Sequence, residues 1–311
     1  MRSRRVRFRI WVVASLVVLL VVTTAGAVAA GQRSQTVSRA GDGVAVSNEA
    51  STQVAVEQGI VWRTVHGEEL ALDAYIPAGG GNDRAAVVLI HGGGWSAGDK
   101  SSYAEQARKL AELGYVAIAV NYRLVPEHPL PAALEDVQAA VSWLRADAQV
   151  RHYGIDPHRI GVLGASAGGQ LAVMLGTVGT GANDAGSRVA AVVSWSGVFD
   201  FTTVGIDDAS LLGCRPASCP EVAAAASPIT QVDRTDAPTL LVTSAEDAIV
   251  PATQSKAMAA ALSGAAIENQ LLVIDGSAHA VLGDEAWAAT VAFLDTHLQP
   301  TKAKAKKAGA A

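Results

Sequence analysis

Only two of the 311 residues are cysteine, and with the seven histidines they form no cluster of metal-ligand spacing. No metal and no cofactor is therefore expected. The chain has no G-x-x-x-x-G-K-[ST] loop to cradle a nucleotide phosphate, and no internal repeat. Positive charge is scarce where a folded domain would lie. The formal charge is −5 over the whole chain, yet residues 45–300 carry 13 Lys and Arg against 28 Asp and Glu, a net of −15. A nucleic-acid partner needs the opposite balance.

The basic residues collect at the two ends. Five arginines lie in residues 2–9, residues 10–32 are uncharged, and small residues follow the apolar centre as far as Ala27-Val28-Ala29. This pattern predicts a cleaved secretory signal over residues 1–30 and a secreted, extracytoplasmic protein. The alternative is a retained anchor: residues 10–30 are 21 in number, enough to cross a bilayer, and would be the one membrane contact. Residues 31–55 are small and polar and read as a flexible linker, and 300–311 as a basic disordered tail. Residues 56–299 then make one domain. In an exported protein, Cys214 and Cys219 in CRPASC read as one local disulfide. The sequence sets no oligomeric state.

Within that domain, apolar runs alternate with helical patterns. Strands are expected over 70–76, 85–90, 115–120, 159–164, 189–195, 239–244 and 270–275. Helices are expected over 102–113, from Pro131 to Ala148, and over 168–176, 252–262 and 285–298. Such alternation predicts an α/β fold with a mostly parallel sheet covered by helices on both faces. Residues 198–237 break the rhythm and read as a small cap.

Two glycine-rich loops carry the chemistry. Gly164-Ala165-Ser166-Ala167-Gly168-Gly169 follows an apolar strand and precedes a helix of small residues. A G-x-S-x-G turn projects its serine from a sharp strand-to-helix bend, with glycines removing the side chains that would clash. His91-Gly92-Gly93-Gly94-Trp95 follows the strand 85–90. Its glycines let backbone N–H groups approach a developing oxyanion, with Gly93, Gly94 and Ala167 the expected donors. Among the histidines, His279 alone occupies a glycine-bearing loop after the last strand.

With Tyr122-Arg123-Leu124-Val125-Pro126-Glu127-His128 between them, these loops resemble the hormone-sensitive-lipase-like and feruloyl/acetyl-esterase-like branch of the α/β-hydrolases. The resemblance runs over residues 60–298, including Leu130-Pro131-Ala132-Ala133 and Gly98-Asp99-Lys100. Ala165 departs from it, because hormone-sensitive-lipase relatives usually carry Asp there. The resemblance implies an eight-stranded α/β-hydrolase sheet and a serine carboxylesterase acting on small or short-acyl esters. Its D-x-x-V-P pattern selects Asp247 over Glu246 as the acid. The roles are then Ser166 as nucleophile, His279 as proton shuttle and Asp247 as its orienter. Trp95 and Trp195 are read as walls that limit the acyl chain, the alternative being that they pack in the core. A peptidase or amidase on the same triad, and an inactive binding protein of the same fold, are the rival functions.

Overall fold

The computed structural model describes residues 54–79, 81–179, 181, 186–202 and 209–299. The expected export signal, the linker as far as residue 53 and the basic tail lie outside them. Eight strands form one sheet: β1 (Ala55–Val65), β2 (Glu68–Ile76), β3 (Arg84–Ile90), β4 (Val116–Val120), β5 (Ile155–Ala165), β6 (Ala191–Trp195), β7 (Thr239–Ser244) and β8 (Asn269–Ile274). Their order is β1-β2-β4-β3-β5-β6-β7-β8. The contacts of β2 with β1 and β4 are antiparallel, and all later pairings are parallel.

The central strands are continuous apolar runs because both faces are covered. On β3 the residues alternate: Ala86, Val88 and Ile90 join one core, and Ala85, Val87 and Leu89 the other. The helices α2 (Ala132–Leu144), α4 (Ala167–Val178) and α7 (Thr253–Gly264) seal the first core with Val137, Val141, Leu171 and Met258. The helices α1 (Ala104–Glu112) and α8 (Gly283–Leu298) seal the second with Leu110, Phe293 and Leu294.

Two elements differ from the sequence expectation. The strand β1, starting at the last residue assigned to the linker, has no alternation to betray it. Its pairing with β2 shifts register between Glu57 and Ile60 and again between Val61 and Arg63, so no face keeps period two. The helix expected from Pro131 to Ala148 stops at Leu144, and a separate α3 (Asp147–Tyr153) follows. At the break, the buried Arg145 donates to the carbonyls of Pro157 (2.9 Å), Gly186 (2.6 Å) and Arg188 (2.7 Å). Those bonds hold it against the start of β5 and the loop before β6 instead of on a helix surface.

The described part of the cap holds α5 (Ala209–Leu212) and α6 (Pro220–Ala226). A 2.8 Å bond from the Leu130 amide to the Leu211 carbonyl ties it to the body. Cys214 and Cys219 are joined as a disulfide. So short a loop gives an entropic gain of only about 2 kcal/mol. Its effect is to fix the chain entering α6.

Candidate active site

The loops after β3, β5, β7 and β8 all emerge at the carboxyl ends of parallel strands, the edge where open α/β sheets gather their ligands. Ser166 stands between β5 and α4 with φ 55° and ψ −119°, a conformation non-glycine residues rarely adopt. The neighbouring glycines make this possible. A Cβ on Gly164 would overlap the Gly168 carbonyl, and one on Gly168 would overlap the carbonyls of Ile90 and His91. The Ser166 amide is fixed by a 2.8 Å bond to the Trp195 carbonyl.

His279 Nε2 lies 2.9 Å from Ser166 Oγ, and its Nδ1 lies 2.8 Å from Asp247 Oδ2. The second Asp247 oxygen accepts the amides of Ile249 and Val250, each at 2.9 Å. Burial pushes the Asp247 carboxyl up, but the Val250 amide, the His279 ring and the Ile249 amide together hold it below the usual carboxylate value. It is therefore ionised across the neutral range. Glu246, the alternative acid, is exposed. The histidine loop is itself pinned: the Ala280 amide donates to Ser196 Oγ at 3.3 Å, and Ser244 Oγ donates to the Ala278 carbonyl. Sequence reading did not single out these two serines.

The glycine loop bends beside the serine. A Cβ on Gly92 would stand 3.3 Å from Ser166 Cβ. Gly93 and Gly94 have φ of 121° and 58°, and the Gly93 carbonyl accepts the amides of Ser96 (3.2 Å) and Ala97 (3.0 Å). That folds the loop back on itself, with its carbonyl consumed internally. The far end is anchored by Asp99, which accepts from the Ser101 amide (2.8 Å) and Asn121 Nδ2 (3.0 Å). Burial raises the Asp99 carboxyl, but the Ser101 and Asn121 bonds and the Lys100 charge bring it down to about 2. The near end is held by Tyr122, whose hydroxyl donates to the His91 carbonyl at 3.0 Å.

Both tryptophans overturn the wall reading. Trp195 is 4% exposed, lies in the core shared with α8, and donates from Nε1 to Thr290 Oγ1 at 3.0 Å. Trp95 is 3% exposed, packs 5.7 Å from the Phe201 ring, and donates to Gln170 Oε1 at 3.1 Å. Rings sealed this way, with the polar nitrogen satisfied inside, present no face to an acyl chain. Trp195 touches the site through its backbone carbonyl instead. Trp195→Phe should therefore cost about 1–2 kcal/mol of stability, from the orphaned Thr290 hydroxyl, and leave chain-length preference unchanged. Urea unfolding and a profile over p-nitrophenyl esters check the two halves.

The loop after β4 holds a buried ion pair that sequence reading also missed. Asp136 on α2 is fully buried and accepts from the Arg123 amide (2.9 Å), Arg123 Nε (2.8 Å) and Arg63 (2.7 Å). This clamps the segment whose Tyr122 steadies the glycine loop.

Serine, acid and histidine following separate strands of this sheet, in that order, make the chain an α/β-hydrolase. Within that class it belongs to the BD-FAE family, whose model matches residues 72–262. It is 32% identical over 188 residues to the probable carboxylic ester hydrolase LipM of Mycobacterium tuberculosis, covering 55% of this chain and 43% of the relative. It is 44% identical to rabbit (Oryctolagus cuniculus) arylacetamide deacetylase over 92 residues, 29% of this chain and 23% of the relative. The matched stretches thus span less than half of these relatives. A truncated carbohydrate esterase from gut microbiota shares the fold with a TM-score of 0.72, at 24% identity over 81% of this chain and 99% of that one. Esterase 2 of Thermogutta terrifontis shares it with a TM-score of 0.67, at 24% identity over 81% and 95%.

Proposed function

We propose that the protein is a serine carboxylic ester hydrolase. The single observation that carries this reading is the unbroken Asp247–His279–Ser166 hydrogen-bond chain. In this reading His279 Nε2 takes the hydroxyl proton as Ser166 Oγ attacks the acyl carbon. The amides of Gly93, Gly94 and Ala167 receive the oxyanion. As the tetrahedral intermediate collapses, the same proton passes to the leaving alkoxide and the acyl group stays on Ser166. Water then repeats the sequence with His279 as base and releases the acid. Asp247, ionised throughout, stabilises the imidazolium formed in each half. No metal or cofactor enters any step.

The acyl group is proposed to be short. Support comes from the family resemblance and from the Thermogutta esterase, which is known in propionate-bound and butyrate-bound forms. The tryptophans no longer contribute to that argument. The disulfide is consistent with the proposed extracytoplasmic location, since oxidising compartments preserve such bonds.

A screen of p-nitrophenyl esters from acetate to palmitate, with acetylated and feruloylated sugars, tests the reading. Activity should peak between acetate and butyrate. Cleavage of anilides or peptides in preference to esters would make it an amidase. No turnover of any substrate would make it a binding protein of this fold.

A further inference from the structure

Gly98-Asp99-Lys100 belongs to the sequence resemblance, yet the proposed chemistry uses none of the three. They form the outgoing leg of the glycine loop, and that leg is packed on the incoming one. A Cβ on Gly98 would stand 2.4 Å from both the Gly92 carbonyl oxygen and His91 Nδ1, and one on Gly93 would stand 2.1 Å from the Ala97 carbonyl oxygen. Gly92 in turn abuts Ser166. Contacts with no room for a methyl group transmit displacement, so the position of Gly98 sets those of Gly92 and Gly93.

Lys100 ends that leg and is held twice. Its amide donates to Asn121 Oδ1 at 2.7 Å, and the Asn121 amide donates to the Ala71 carbonyl on β2 at 3.0 Å. The Lys100 ammonium pairs with Asp73 Oδ1, also on β2, at 3.1 Å. Asp73 is 2% exposed and the lysine side chain 15%, so the pair is largely out of water. A carboxylate buried in a sheet needs hydrogen-bond donors, and β1 supplies one: the Gly59 amide donates to the same oxygen at 2.8 Å. That bond accounts for the first register shift of β1. Gln58 and Gly59 together stand opposite Asp73, and Gly59, at φ 67°, turns its amide onto the carboxylate.

The strands β1 and β2 and the glycine loop are thus joined at one carboxylate oxygen. We infer that Lys100 is a positioning residue for ester hydrolysis: its pairing with Asp73 fixes the outgoing leg and, through Gly98, the Gly93 and Gly94 amides proposed to receive the oxyanion. The inference rests on the esterase reading above and adds a residue that acts through the backbone donors without touching substrate.

Lys100→Met, Asp73→Asn and the double variant test it. Asparagine keeps an acceptor for Gly59 and leaves an ammonium that is partly exposed, and the double variant holds no buried charge without its partner, so both should fold even where Lys100→Met does not. Donors used only in the transition state change kcat and kcat/KM together, and on p-nitrophenyl acetate both should fall about tenfold or more in each variant. A second readout reports on the donors alone. The thiono analogue, O-(4-nitrophenyl) thioacetate, places sulfur, a weak acceptor, where the oxyanion forms. The oxo-to-thiono ratio of kcat/KM therefore measures what the amide donors contribute, and it should fall about fivefold in each variant. In the double variant the urea midpoint should return toward the wild-type value while the ratio stays low. A wild-type ratio in Asp73→Asn, or one that recovers with the midpoint in the double variant, overturns the positioning role and leaves the esterase reading intact. Wild-type protein that cleaves neither p-nitrophenyl acetate nor any other ester overturns both.

Discussion

Ser166→Ala is expected to lower kcat by about 10⁴- to 10⁶-fold, with folding stability unchanged to within about 0.5 kcal/mol. The asymmetry follows from what the hydroxyl touches. Its one hydrogen bond runs to His279 Nε2, and Ser166 sits in a turn whose shape is set by glycines and by the Trp195 carbonyl. Removing Oγ takes away the attacking atom and leaves that backbone alone. The residual rate would be what the oxyanion donors and substrate positioning provide. Steady-state kinetics on protein free of host esterases, with thermal unfolding of both forms, checks each half.

The second large effect falls on stability. Asp136→Ala is expected to cost about 3–5 kcal/mol, because it strips the fully buried carboxylate from Arg123, which is itself only 6% exposed. Glu135, the adjacent carboxylate, meets the same guanidinium at 3.2 Å but is half exposed. Glu135→Ala should cost at most about 1 kcal/mol. Urea unfolding of the two variants separates a buried charge pair from a surface one. A folded Asp136→Ala fraction should also lose activity, since the Arg123 segment carries Tyr122 and through it the glycine loop.

The parts of this site that were legible in sequence are those where backbone geometry dictates residue type. A serine at positive φ between a strand and a helix needs Gly164 and Gly168, because nothing with a Cβ fits against the facing carbonyls. The glycine loop is written in sequence for the same reason. The parallel core was legible because strands buried on both faces must be continuously apolar. Where a ring points is not encoded so locally. Trp95 and Trp195 lie beside the site in sequence, but their directions are set by Gln170 and Thr290, 75 and 95 residues away. Asp136 did leave a signal. It falls in the stripe Ala132, Ala133, Asp136, Val137, Ala140, Val141, Leu144 that α2 buries. An acid on an apolar helical face asks for a buried cation, and its neighbour Glu135 has the wrong phase. The break at Arg145 and the bulged strand β1 left none, because each depends on partners from distant loops or on a register that abolishes periodicity.

The most direct test of the central claim is covalent. A fluorophosphonate reacts with a serine only where a base activates it and donors receive the oxyanion. Incubated with such a probe, the wild-type protein should gain the mass of one adduct, and peptide mapping should place it on Ser166. His279→Ala should label far more slowly. An adduct at another residue, or a wild-type protein that stays unlabelled while folded, would contradict the assignment of Ser166, His279 and Asp247 as the catalytic apparatus.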